Sequence, residues 1–179
     1  MSRDYFIKGH KAALRSIEED DFSLIHRWAN DQETTHYMFT GQIPLAATQT
    51  KKAYSREFNS ASNVVFIIVD MQTNNPIGMV GLYDLHFTAR KAEFRILIGD
   101  PDSRGKGIGT EVTTLIVKYG FERLNLHRIF LGVTDENKAA AKTYKKCGFK
   151  EEGTLQDDIY RNGRYYDTIR MALVRGKSK

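Results

Sequence analysis

The stretch "RGKGIGT" at residues 104–110 places three glycines at alternate positions, next to an arginine and a lysine. It follows a strand-like run and precedes a stretch with helical spacing. A glycine-rich turn at the start of a helix exposes several backbone N–H groups at the positive end of the helix dipole, where an anion is stabilised. The stretch therefore predicts an anion site, and the ordinary alternative is a tight turn without a ligand.

The spacing of the glycines excludes the two commonest phosphate-binding motifs. A Walker A loop ends in Gly-Lys followed by Ser or Thr, which this stretch lacks. A dinucleotide fingerprint that starts at Gly105 would need glycine at its sixth position, which is Thr110. The pattern that fits is R-x-x-G-x-G, formed by Arg104, Gly107 and Gly109.

A second motif, "ENKAAAKTYKKCGF", lies about thirty residues downstream and contains Asn137, Ala140, Tyr144 and the pair Gly148-Phe149. Together the two motifs resemble the GNAT superfamily of N-acetyltransferases, with the first as its acetyl-coenzyme A loop. The resemblance extends from about residue 14 to residue 173. The segments "AEFRILI", "CGFKEEGTL" and "RNGRYYDTIRMAL" resemble the branch of spermidine acetyltransferases and ribosomal-protein N-terminal acetyltransferases.

The resemblance implies that acetyl-coenzyme A is the cosubstrate and that no metal takes part. Its pyrophosphate would lie on backbone N–H groups of the glycine loop, and its pantetheine arm would run along the strand "KAEFRILIGD" like an added strand. For Asn137, contact with the arm and a plain helix cap are equally compatible. The implied cofactor-binding residues are Ile96, Leu97, Ile98, Arg104, Gly105, Lys106, Gly107, Ile108, Gly109, Thr110, Asn137 and Ala140.

The implied catalytic residues are Tyr144 and Glu93. Tyr144 lies two helical turns beyond Asn137, so both side chains project from one helix face about 10 Å apart. The resemblance implies that Tyr144 donates a proton or a hydrogen bond to the departing thiolate. The attacking amine must lose a proton, and Glu93 in "AEF" is the first candidate to accept it. The alternative for Glu93 is a surface carboxylate paired with Arg95 or Lys91.

Other polar residues carry weaker signals. Glu33, Asp84 and His86 lie in the expected substrate region but at no diagnostic spacing. Cys147 adjoins the "GF" turn, and no histidine lies at a sequence spacing that would indicate a catalytic pair. A buried thiol is therefore expected rather than a nucleophile. The five histidines form no metal-binding pattern.

The elements that must position these residues follow from periodicity. "NVVFIIVD" and "IGMVGLYDL" predict a β-hairpin, and a second hairpin turns at Asn162-Gly163. Ser16 and Glu19 have capping-box spacing at the start of the first helix, and a second helix follows Pro44. The prediction is an α/β, single-domain GNAT fold, with a mixed, mostly antiparallel central sheet of about seven strands and about four helices. Residues 105–126 would cross over between parallel neighbours.

Composition limits the remaining classes of protein. The 179 residues, 41% hydrophobic and 27% charged, are expected to form one domain over 1–179 with a short basic tail at 175–179. A single cysteine excludes an internal disulfide. No apolar run is long enough to span a membrane and no signal peptide is evident, so a cytoplasmic location is the default and no membrane partner is expected. The net charge of +5 is concentrated in the tail, so no nucleic-acid partner is expected.

The predicted activity is acetyl-coenzyme A-dependent N-acetyl transfer to a primary amine, by direct attack in a ternary complex. The acceptor is a small molecule or a peptide, and a polyamine, a protein N-terminus and an amino sugar all stay open. A polycation should prefer a more acidic site than "MFTGQIPL" offers. The alternative from another class is a non-catalytic, acetyl-coenzyme A-binding regulator of the same fold. A homodimer is possible by resemblance.

Overall fold

The computed structural model describes residues 4–176, in which eight strands and five helices form, one more of each than predicted. The strands are β1 (Ile7–Lys8), β2 (Ala12–Arg15), β3 (Val64–Asp70), β4 (Pro76–His86), β5 (Lys91–Ile98), β6 (Arg128–Thr134), β7 (Lys150–Arg161) and β8 (Arg164–Val174). The helices are α1 (Phe22–Asn30), α2 (Gln32–Thr35), α3 (Ala47–Phe58), α4 (Ile108–Glu122) and α5 (Lys138–Lys146). Lys177, Ser178 and Lys179 of the predicted basic tail lie outside the described residues.

All eight strands form one sheet in the order β1-β2-β3-β4-β5-β6-β8-β7. Only the central pair, β5 and β6, is parallel among the strand pairs of residues 4–176. Helix α4 connects these two strands, which confirms the predicted crossover. The hairpins β3–β4 and β7–β8 are also confirmed, the second with Asn162 and Gly163 at its turn. The mixed, mostly antiparallel α/β fold predicted from the sequence is therefore correct.

Hydrophobic side chains fill both faces of the sheet. On one face, Ile108, Val112 and Ile116 of α4 and Ala141 of α5 pack against alternate residues of the central strands. On the other face, Ile25 and Trp28 of α1 contact the opposite side chains, with α3 beside them. The strands therefore form the middle layer of three, which explains why β3 and β4 are almost continuously apolar.

The central strands separate part of the way along their length. β5 and β6 pair at Lys91–Arg128, Ala92–Ile129 and Glu93–Phe130, and their pairing ends there. β5 nevertheless continues beside β4 to Ile98, and β6 continues beside β8 to Thr134. A gap therefore opens within the sheet, and the edge of β5 that faces β6 has no strand partner beyond Glu93 in the described part of the chain.

The start of the first helix differs from the prediction. A short 3₁₀ turn, Glu19–Asp21, precedes α1, and the Asp21 carboxylate accepts the backbone N–H of Glu18 at 2.8 Å. The same carboxylate receives two bonds from the guanidinium of Arg15, at 2.6 and 2.7 Å, and both side chains are buried. The predicted Ser16–Glu19 capping box is wrong because the buried arginine requires a charged partner at position 21.

Candidate active site

The glycine loop lies where β5 passes into α4. A 3₁₀ turn capped by Asp100 leads into it, and Gly105 and Gly107 adopt left-handed backbone angles, with φ of +74° and +82°. Only glycine adopts this conformation without a steric cost, so the local sequence determines this path. Helix α4 then begins at Ile108, whose buried side chain anchors the loop to the core.

The surface of this loop is open and rich in donors. A Cβ atom added at Gly105 or Gly109 would meet nothing within 4 Å. The first turn of α4 contains the backbone N–H groups of Ile108, Gly109 and Thr110. The helix itself has no carbonyl acceptor for these groups. The loop therefore presents directed N–H donors at a positive helix end, as an anion site requires.

The side chain of Arg104 connects the glycine loop to neighbouring segments of the protein. Its guanidinium donates to the Ile98 carbonyl at 3.2 Å, to the Glu33 carboxylate at 2.9 Å and to the Thr34 hydroxyl at 3.1 Å. Its backbone N–H donates to the Pro101 carbonyl. Three of the five guanidinium N–H groups are thus engaged within the protein, and the residue fixes the loop against α2 and the end of β5.

Two side chains connect the glycine-loop region with the β1–β2 turn, and both were missed by sequence reasoning. The Glu111 carboxylate accepts the backbone N–H groups of His10, Lys11 and Ala12, at 2.7, 2.8 and 3.1 Å. The Lys11 ammonium donates to the Lys106 carbonyl at 2.8 Å. No local pattern could reveal contacts between residues so far apart in sequence.

The β5 residues predicted to contact the pantetheine arm lie along the unpaired edge of the strand. Ile96 and Ile98 pack towards the core under α4 and α5, and Leu97 packs towards α1. The side chains of all three residues therefore pack in the two hydrophobic clusters. Their backbone groups on the side facing β6 are what this stretch offers to a ligand.

Helix α5 begins beside this gap. The Asn137 side-chain oxygen accepts the backbone N–H of Ala140 at 3.1 Å, so Asn137 is the helix cap. An asparagine that caps through its oxygen still has an NH₂ group to donate. The structure therefore shows Asn137 as the helix cap, and its contact with the pantetheine arm stays a prediction.

Tyr144 packs on the α5 side of the sheet. Its ring meets the edge of Phe94 with centroids 5.9 Å apart and lies 6.0 Å from Phe149. Phe94 is the first β5 residue beyond the last pair with β6, so Tyr144 lies at the point where the strands separate. Burial raises the pKa of Tyr144 to about 12, with a smaller contribution from nearby Cys147. The phenol therefore stays protonated and able to donate at neutral pH.

Glu93 belongs to a group of charged residues on the opposite face. The Arg95 guanidinium donates to Oε2 of Glu93 at 2.6 and 3.0 Å, and lies 3.7 Å from Asp84 and 3.8 Å from Glu57. It also stacks 4.5 Å above the Tyr83 ring. Burial raises the pKa of Glu57 and the pKa of Tyr83. Both Arg95 bonds end on Oε2, which leaves Oε1 of Glu93 available as an acceptor.

The two predicted catalytic residues approach the gap from opposite sides. Successive side chains alternate across a strand, so Glu93 lies on the α3 side while Phe94, which contacts Tyr144, lies on the α5 side. Across a continuous sheet these side chains could not reach a common ligand. Because β5 and β6 part immediately beyond Glu93, a molecule within the gap would be accessible from both faces.

The weaker candidates have local partners. Glu33 pairs with Arg104, and His86 accepts the backbone N–H of Ala89 at 3.0 Å. The Cys147 thiol contacts the Thr110 carbonyl, and burial raises its pKa. Within residues 4–176 no three histidine, cysteine or acidic side chains are grouped as a metal site would require. Over the same range, no helix is long and apolar enough to cross a membrane.

A cavity of about 540 Å³ lies at the tip of the β7–β8 hairpin. It separates this tip, at residues 160–162, from the segment that joins α1 to α3. The segment is held there by the Arg161 guanidinium, which donates to the Met38 carbonyl. A second cavity, of about 600 Å³, lies beside α1 and the end of β5.

Comparison with known proteins identifies the family of the chain. A family model described as an acetyltransferase (GNAT) domain matches residues 11–150. The spermidine N(1)-acetyltransferase of Vibrio cholerae is 34% identical, with 92% of this chain and 93% of that protein covered. The enzyme of the same description from Escherichia coli K12 is 32% identical, covering 92% of this chain and 86% of that protein. A crystal structure of the Vibrio cholerae spermidine N-acetyltransferase with CoA and spermine superimposes with a TM-score of 0.84 at 34% identity, covering 92% of this chain and 95% of that one.

The chain therefore belongs to the GNAT acetyltransferase family, and it is an acetyl-coenzyme A-dependent N-acetyltransferase. The resemblance drawn from the two sequence motifs is confirmed.

Proposed function

We propose that this protein acetylates a primary amine of a polyamine, with spermidine as the first candidate, by direct attack on acetyl-coenzyme A in a ternary complex. The observation that supports this most is the gap between β5 and β6, which begins between Glu93 and the Phe94–Tyr144 contact. The glycine loop follows the far end of the same strand. One extended ligand could thus lie on the β5 edge with its phosphates at the loop.

The binding site fits the cosubstrate in two respects. An extended arm with amide groups can pair with a strand edge that lacks a partner, as an added strand does. The open, donor-rich start of α4 suits a pyrophosphate. The residues proposed to hold it are the β5 edge from Ile96 to Ile98, the loop from residue 104 to 110, Asn137 through its NH₂ group, and Ala140 beside it.

The acetyl thioester supplies an activated acyl group, and the chain's own residues govern two proton movements. Oε1 of Glu93 accepts a proton from the amine, directly or through water, so that the nitrogen lone pair can form the new C–N bond. A backbone N–H near Leu97 stabilises the oxyanion. The hydroxyl of Tyr144 donates a hydrogen bond to the sulfur as the C–S bond breaks.

Local charge supports a polyamine despite the basic composition of the chain. Three carboxylates, from Glu57, Asp84 and Glu93, surround the single guanidinium of Arg95. This excess of negative charge lies on the face from which Glu93 approaches the gap. The relatives described as spermidine acetyltransferases support the same acceptor class.

The decisive experiment measures thiol release from acetyl-coenzyme A with a panel of amines. The panel contains spermidine, peptides with free Ser or Ala N-termini, and a nucleotide-linked amino sugar. We expect release with spermidine and mass-spectrometric detection of one added acetyl group. Release with another class alone would replace the polyamine by that class. If no amine of the panel causes thiol release but calorimetry still detects binding of coenzyme A, the non-catalytic regulator of the same fold would be favoured. If coenzyme A does not bind, the proposed cofactor site would be contradicted.

A further inference from the structure

We propose that Lys11 binds the pyrophosphate of acetyl-coenzyme A, and that Glu111 is the positioning residue that holds Lys11 at the glycine loop. This inference rests on the proposed binding of the cofactor at that loop. It adds a cationic ligand from the amino-terminal β1–β2 turn, about a hundred residues away in sequence.

The Lys11 ammonium lies at the centre of the loop. It donates to the Lys106 carbonyl at 2.8 Å, and a Cβ atom at Gly107 would be 3.1 Å from it. An ammonium group has three donors, so two stay available. In the described part of the chain no carboxylate lies within 4.0 Å of the Lys11 ammonium. Its charge is therefore held over the loop without an acidic partner.

The carboxylate of Glu111 fixes the backbone from which Lys11 projects. It accepts three consecutive N–H groups of the β1–β2 turn, including that of Lys11 itself at 2.8 Å. Gly9 approaches so closely that an added Cβ would lie 3.0 Å from this carboxyl group. Glu111 also lies in the first turn of α4, where the helix dipole favours a carboxylate. The turn and the loop are thus joined at one residue.

Lys11 adds a positive charge to those of Arg104 and Lys106, which belong to the loop itself. The guanidinium of Arg104 uses three of its five N–H groups on Ile98, Glu33 and Thr34. Backbone N–H groups bind a pyrophosphate by partial charges alone. A fixed ammonium beside them adds a charge-assisted hydrogen bond, which is roughly twice as strong as a neutral one.

The test is calorimetric binding of coenzyme A to Lys11→Met, with Lys8→Met as the matched control. Lys8 is an exposed lysine at the end of β1, next to the same turn, so its loss changes the net charge equally. We expect Kd to rise about 10- to 100-fold for Lys11→Met, as for the loss of a hydrogen bond to a charged group, and to change less than about twofold for Lys8→Met.

Dephospho-coenzyme A, which lacks the 3′-phosphate, identifies the phosphate concerned. A pyrophosphate contact predicts the same loss in Lys11→Met with both ligands. If the loss disappears with dephospho-coenzyme A, or if Lys11→Met binds like Lys8→Met, the proposal is wrong. A wild-type protein that binds neither ligand would instead contradict the cofactor site itself.

Glu111→Gln separates positioning from general structural support. Acting through Lys11, it should raise the KM for acetyl-coenzyme A with little change in kcat, and it should have little further effect in the Lys11→Met background. An equal effect in both backgrounds would show that Glu111 acts independently of Lys11.

Discussion

Replacement of Tyr144 by phenylalanine isolates one hydroxyl group at the proposed reaction centre. The ring packs edge-on against Phe94 and beside Phe149, and phenylalanine preserves both contacts. Burial holds the pKa of Tyr144 at about 12. A thiol has a pKa of about 8.5, so full proton transfer to the thiolate would be uphill by roughly 3.5 pKa units, or about 5 kcal/mol. Tyr144 should therefore donate a hydrogen bond and keep its proton.

A hydrogen bond to a developing anion is worth about 1.5–3 kcal/mol, so kcat should fall roughly 10- to 100-fold in Tyr144→Phe. The KM for acetyl-coenzyme A should change little, because the bond strengthens only as the C–S bond breaks. Initial rates of thiol release across a pH series measure both parameters. Tyr119→Phe is the control, since that ring also packs in the core but lies against Phe6 and Phe66.

The pH profile gives the sharper test. Because the pKa of Tyr144 is raised, its phenol keeps its donor as the pH rises and loses it only near pH 12. Wild-type kcat should consequently show no decline due to Tyr144 below about pH 10. An alkaline decline between about pH 7.5 and 10 that vanishes in Tyr144→Phe would refute the reasoning, as would an unchanged kcat.

Two further predictions concern the opposite face and the fold. Glu93→Gln should lower kcat/KM for the amine by about 10²–10⁴, which is the usual contribution of a general base. The defect should be smaller at high pH, because more of the amine is already neutral there. A pH-independent defect would indicate loss of the Arg95 contact instead. Asp21→Asn should leave the Arg15 guanidinium buried without its counter-charge, at a cost of about 3–5 kcal/mol in the free energy of unfolding. Urea denaturation should show this as a fall in midpoint, and an unchanged midpoint would argue against a buried pair.

The fold and the position of the site could be predicted wherever the signal is local. Alternation and β-branching located the long strands, and the glycines of residues 104–110 located the turn into α4. The elements β1, β2 and α2, at two to four residues each, are too short to show a period.

Long-range polar contacts could not be predicted. The Lys11–Lys106 and Glu111–His10 bonds join residues with no shared pattern, and they exist only because the sheet brings the β1–β2 turn beside α4. The capping error at Ser16 has a similar origin. A buried arginine on the neighbouring strand determines which carboxylate closes that turn, and periodicity does not show which charges are buried.

The short junction between β5 and β6 also has a consequence for how the chain folds. Strands β3, β4 and β5 are neighbours in the sheet and are joined by short turns, so they can assemble from nearby segments. The three residue pairs between β5 and β6 can instead form only after residues 99–127 have closed a long loop. We expect this junction to form late and to open early, which hydrogen exchange of the Ala92 and Arg128 amides would reveal as lower protection than in β3 and β4. A cosubstrate bound in the gap would then extend the short junction between β5 and β6, so this part of the sheet should exchange more slowly when the cosubstrate is bound.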